Sequence, residues 1–290
     1  MPPAVITLTF DPVVRLSDTW SVRVETLALA AVLFVGMLLA VRIGSVTPAF
    51  GRGRGAPGLR PDDLAFIVVG AVPGAIVGGR LGYVLDHVDY YSANPGAIAD
   101  PAQGAMTLTL AVPLGILTGG VIARLIGAPV ARWLHAVSLP LLFVLAGGKL
   151  AQALGGGGQG APSDVPWATA YAGPGPWASL APALPSHPSQ VYEAVLVTIA
   201  LLLLIAMARF GVVARRDGGA MFLALALWAI ARIAVGFTWR DPVAAGPLGT
   251  EQALAVVVLA IALAGLVQRW RAPARAADPE RSLDVEARPA

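Results

Sequence analysis

The chain has 290 residues, of which 57% are hydrophobic and 13% charged, with a net charge of +3. Soluble domains carry about 25% charged residues, so a water-facing surface is excluded for most of this chain and lipid must cover it. The absence of cysteine excludes disulfides, thiolate metal sites and a cysteine nucleophile; with only three histidines, neither a metal site nor a cofactor is expected.

The first 25 residues hold Asp11, Asp18 and Glu25 and have no basic start before an apolar run, so no cleavable signal peptide is expected. Apolar runs of spanning length follow at 26–44, 64–85, 105–126, 134–154, 190–208, 219–239 and 250–268. The second carries Gly70, Gly74, Gly78 and Gly82, a four-residue spacing that bares one helix face for close packing. Pro113 and several glycines interrupt the third.

The connections alternate in charge. Arg52, Arg54 and Arg60 follow span one, Arg132 follows span three, and Arg209, Arg215 and Arg216 follow span five. Arg269, Arg271 and Arg275 follow span seven. The 86–104 and 155–189 connections contain no Lys or Arg, and 240–249 has only Arg240. The positive-inside rule then predicts an outside N-terminus and a cytoplasmic C-terminus. The isoelectric point near 9.7 is read as this topology signal, and nucleic acid is not an expected partner. The expected fold is all-α, a seven-helix transmembrane domain over 1–270 with a charged, disordered cytoplasmic tail at 271–290.

Four ionisable groups stand out inside the spans: Arg80, Lys149, Glu193 and Arg232. Each costs roughly 2.5–3.5 kcal/mol at a helix centre, so each needs a partner or a task. Span direction puts all four at one depth, with Glu25 and His187 at the same level. Three cations against one carboxylate predict a positively charged cavity for an anionic lipid headgroup, arginine forks being suited to phosphate. The plainer reading pairs Arg80 or Arg232 with Glu193, or lets an arginine snorkel to the interface. Lys149 is the only lysine among 20 basic residues.

Several stretches resemble the prolipoprotein diacylglyceryl transferases. His187-Pro188-Ser189-Gln190-Val191-Tyr192-Glu193 resembles that family's H-P-[ST]-Q-L-Y-E, and Gly79-Arg80-Leu81-Gly82-Tyr83-Val84 its G-A-R-L-x-Y-V. Pro162-Ser163-Asp164-Val165-Pro166-Trp167-Ala168 is similar to P-T-D-L-P-W-A, and Arg232 and Arg240 fall near its R-F-x-x-E-F. The chain departs from the pattern at Leu114 (a histidine in the family), Lys149 (an arginine), Gln152 (an asparagine), and Gly157 and Gly236 (glutamates).

The resemblance implies transfer of the diacylglyceryl group of phosphatidylglycerol to the lipobox cysteine of a preprolipoprotein signal peptide, in a bacterial plasma membrane, with release of glycerol-1-phosphate. It implies Lys149, His187 and Glu193 as catalytic residues. It implies Arg80, Tyr83, Gln152, Gln190, Tyr192, Arg232 and Arg240 as substrate-binding residues. A thiol reacts faster as thiolate, and the departing phosphate needs charge stabilisation. With the family histidine replaced by Leu114, His187 or Glu193 is the candidate thiol base. A second reading stays open beside the first: a relative that binds anionic lipid or a lipoprotein signal peptide without chemistry.

Overall fold

The computed structural model describes residues 5–17, 19–47, 59–100, 103–213, 216–241 and 243–271. Asp18, Arg52, Arg54, Arg215 and the tail from 272 onward, Arg275 included, lie outside the described residues.

Among the described residues, seven helices are long and apolar enough to cross a membrane: α1 (Val24–Val46), α2 (Pro61–Asp86), α4 (Leu108–Leu125), α5 (Val130–Leu154), α6 (Ser189–Arg209), α7 (Gly219–Gly236) and α8 (Thr250–Arg271). The chain is therefore a multi-pass membrane protein. Between α2 and α4 stand the short α3 (Val88–Ala93) and a 3-10 turn at Pro95–Ala99. Pro61 opens α2 where its missing N–H is harmless, and Asp62 and Asp63 complement the helix dipole in the first turn. The sixth spanning helix, α7, stops at Gly236, short of the predicted 239, because Thr238 N–H bonds Val235 O and turns the chain.

All-α is right for the spans, but among the described residues six short strands pair at the end of the bundle that gathers the N-termini of α1, α4, α6 and α8. β1 (Val5–Leu8) runs parallel to β4 (Ala168–Tyr171), β2 (Val13–Arg15) is antiparallel to β3 (Ser21–Arg23), and β5 (Val243–Ala245) to β6 (Leu248–Gly249). This loop end is tied together across distant sequence: Ala172 N–H bonds Leu8 O and Ala161 N–H bonds Thr238 O.

The glycine repeat of α2 does what its spacing predicts. A Cβ on Gly70 would overlap Ile122 of α4, on Gly74 Thr118, on Gly78 the Leu110 carbonyl, and on Gly82 Thr107. Backbones of α2 and α4 therefore lie against each other along their length. The other close unit is α5, α6, α7 and α8 around Leu142, Val197, Met221 and Trp228, with α7 the most buried helix and alanine-rich on its packed faces. α1 lies along α5, and few contacts join α1 to α2 or α4 to α5. An apolar cavity of about 600 Å³ opens along that seam, lined by residues such as Met37, Ile67, Val68, Ala111, Ile116 and Val144.

Candidate functional site at the head of the apolar cavity

Four helices deliver one charged residue each to a single buried cluster. Lys149 lies in the last turns of α5, Glu193 in the first turns of α6, Arg232 in the last turns of α7 and Glu251 at the second position of α8. Each of these segments is at the loop end of its helix, which brings the four to one depth. Lys149 Nζ is 3.0 Å from Glu193 Oε2. Arg232 NH1 donates to both Glu193 oxygens at 3.1 and 3.0 Å. Its NH2 donates to Glu251 Oε2 at 2.5 Å and to Thr109 Oγ1 at 3.1 Å, and Thr109 donates in turn to Glu251. Glu193 is 1% exposed, so its charge survives only because these donors replace water. The Trp239 ring lies 5.0 Å from Lys149 Nζ and covers the cation.

The cluster lies at the loop end of the helices, next in sequence to the cavity wall, although its own side chains do not line the cavity. Thr109 follows Leu108 of the cavity wall, and Lys149 stands one helical turn beyond Leu145 of the same wall.

Two expectations are corrected here. The predicted excess of positive charge does not exist, because Glu251 joins the site and two cations face two carboxylates. Glu251 sits one residue inside the seventh predicted span, and a buried-charge census that reached the first turn of that helix would have found it. Thr109 carried no sequence signal beyond its place in a span. The second correction concerns Arg80, which does not converge with Lys149 and Arg232. Its Nε donates to Ile98 O at 2.7 Å and its NH2 to Ala97 O at 2.6 Å and Asp100 O at 3.1 Å. The guanidinium carbon is 5.2 Å from the Tyr91 ring centre and 6.0 Å from that of Tyr83. Arg80 thus clamps the segment after α3, and Tyr83 stacks on His87 beside it at 4.2 Å.

The other sequence-derived residues form the roof. Gln190 is fully buried, and its Nε2 donates to Tyr171 OH at 3.1 Å, which donates to Ala153 O at 2.9 Å. Burial pushes the Tyr171 phenol above its ordinary pKa, so it stays protonated as this chain of bonds requires. Gln152 packs under the glycine run: the Cβ of a residue at 158 would fall 3.0 Å from both Gln152 Cδ and Gln190 Cβ, and Gly158 has φ +73°. His187 turns toward Tyr192, with Nδ1 3.4 Å from the hydroxyl, and Trp167 Nε1 donates to that hydroxyl at 2.5 Å. Arg240 fixes the loop, donating to Gly160 O at 2.5 Å and Ser186 Oγ at 2.7 Å. Leu114, at the resemblance's histidine position, packs on α2, its Cβ 3.0 Å from where a Cβ on Gly78 would lie.

Chemically, the arrangement offers two desolvated cations at the loop end of a bundle that also holds an apolar cavity. A sequence model of the prolipoprotein diacylglyceryl transferase family matches residues 13–268. A phosphatidylglycerol–prolipoprotein diacylglyceryl transferase of Geobacter sulfurreducens is 34% identical over 230 residues, 75% of this chain and 83% of that protein. Proteins of the same name from Rhodospirillum centenum and Beijerinckia indica are each 32% identical, covering 80% of both chains in the first case and 83% and 86% in the second.

Proposed function

The chain belongs to the prolipoprotein diacylglyceryl transferase family, and from that premise we propose that it transfers the diacylglyceryl group of phosphatidylglycerol to the cysteine of a prolipoprotein. The relatives are named for the transfer itself, so the binding-only reading is not favoured.

The buried Lys149–Glu193–Arg232–Glu251 cluster carries the reading of the site. The cavity takes acyl chains of the donor lipid, and the phosphate goes to Lys149 and Arg232. The cysteine sulfur forms a bond to the terminal glyceryl carbon as that carbon's bond to the phosphate oxygen breaks. The electron pair stays on the phosphate, and the thiol proton passes to a base and from there to solvent. Two fixed cations in a dry site stabilise the charge that collects on the leaving group. Lys149 is a point charge where the family resemblance has an arginine fork, so Arg232, held by three helices, is left to provide the directional contact.

Both Glu193 oxygens are taken up by cations, which makes Glu193 the anchor of the cluster and leaves His187, half-buried and beside Tyr192, as the remaining candidate for the thiol proton. The membrane is the bacterial plasma membrane and the loop end faces outward, as the arginine alternation suggests. Incubating the purified protein with phosphatidylglycerol and a lipobox peptide tests the function. Lipidated peptide and glycerol-1-phosphate should accumulate together, and an equal yield with and without protein would refute the assignment.

A further inference from the structure

Lys149 and Arg232 bring two positive charges to the cluster, and Glu193 and Glu251 bring two negative ones. Glu193 alone bonds both cations, so without Glu251 the site would carry one net positive charge, matched to a phosphodiester monoanion. With Glu251 it is neutral. Glu251 also occupies Arg232 NH2, the nitrogen that a phosphate oxygen beside Thr109 would need.

The consequence rests on the transferase reading. Breaking the glyceryl carbon–oxygen bond turns a phosphodiester monoanion into a phosphomonoester, whose second pKa of about 6 makes it close to dianionic at neutral pH. A neighbouring carboxylate repels the dianion more than the monoanion, and the low dielectric of a buried site strengthens the difference. We propose that Glu251 is an affinity-setting residue of the anion site: it holds the site neutral, so that the lipid phosphate is bound and the phosphomonoester product is let go. In the empty site it returns to Arg232 NH2.

Two features place this task on Glu251 rather than Glu193. Glu193 is shared by both cations and sits at their centre, whereas Glu251 meets Arg232 at one nitrogen from the side of α8. Glu251 is also braced by Thr109 of α4, the helix that contributes Leu108 and Ala111 to the cavity wall.

The test uses the full-length purified protein, with glycerol-1-phosphate as inhibitor of the transfer assay. Glu251→Gln keeps size and an acceptor oxygen for Arg232 and removes the charge. Its inhibition constant should fall about tenfold or more, in keeping with one like charge removed at close range. Steady-state turnover should slow more than the first turnover does. Glu251→Asp, which keeps the charge but draws it back from Arg232, should give an intermediate inhibition constant, and decides the matter if Glu251→Gln does not fold. An inhibition constant equal to or above the wild-type value in whichever variant folds overturns the proposal, since a purely structural Glu251 would weaken anion binding when lost. If glycerol-1-phosphate does not inhibit the wild-type protein at all, the anion-site reading falls together with the proposal.

Discussion

Gln252 occupies the space beside Gly236. A Cβ at position 236 would lie 2.6 Å from Gln252 Cδ and 2.7 Å from its Nε2. Gln252 cannot swing away freely, because its Nε2 bonds Ile233 O and its Oε1 accepts from Gly249 N–H, each at 3.0 Å. The family resemblance puts a glutamate at 236; in this chain the carboxylate near Arg232 comes instead from Glu251 on the next helix. Gly236→Glu should therefore not raise activity. Overpacking of this kind destabilises by about 1–3 kcal/mol, so a lower melting temperature and no gain in transfer are expected. A variant that melts with wild type and transfers faster would show that the space is not closed.

Removing the central carboxylate should do more damage than removing either cation. Glu193→Ala leaves two cations facing one remaining carboxylate, and loss of a buried pair partner costs about 3–5 kcal/mol. Lys149→Ala leaves Glu193 still bonded by Arg232, so it should fold with a smaller loss, yet transfer should be abolished because the phosphate loses its cation with spare donors. Thermal unfolding and the transfer assay on both variants separate the effects; the opposite stability order would contradict this account.

Arg80 should behave as a loop clamp. Arg80→Ala removes three charge-assisted bonds to the carbonyls of Ala97, Ile98 and Asp100. Amide hydrogen exchange in segment 94–100 should then accelerate about tenfold or more, the bonds being worth roughly 1.5–3 kcal/mol each. Co-purifying phosphatidylglycerol should be retained. Loss of the lipid with unchanged exchange would point back to direct headgroup contact.

The apolar cavity can be tested by filling it. Val68 lines it and is partly exposed at the seam, so Val68→Trp adds volume without displacing the packed α2–α4 face. Transfer from long-chain phosphatidylglycerol should drop while transfer from a short-chain analogue changes little. Equal losses for both lipids would mean that the acyl chains lie elsewhere.

Topology is open to single-cysteine labelling, since the chain has no native cysteine. Ser92 in α3 and Val212 after α6 are both exposed and sit at opposite ends of the bundle. Ser92→Cys should react with an impermeant maleimide in whole cells and Val212→Cys only after lysis. The reverse pattern would invert the proposed orientation.

The seven spans were legible from composition alone, because a backbone that must satisfy every hydrogen bond inside lipid forms helices wherever some 20 apolar residues run together. Glycines four apart also marked α2 as a close-packing helix, while the choice of α4 as its partner came from the packing. The short strands of the loop end were not legible: Val5–Leu8 pairs with Ala168–Tyr171 across 160 residues, a register that no local pattern encodes. Membership of the charged site was legible only in part. Lys149, Glu193 and Arg232 stood out as charges that a membrane does not tolerate alone, and they do meet.

Their partners were decided by the tertiary structure. Arg80 lies at a comparable depth but finds backbone carbonyls first, because α3 and the turn after it fold back over α2. Glu251, at a helix end where a carboxylate could as well face water, is buried only because α4 and α7 close around it. Net charge in a buried site is a sum over side chains brought together by helix packing, and periodicity along one helix carries no information about that sum.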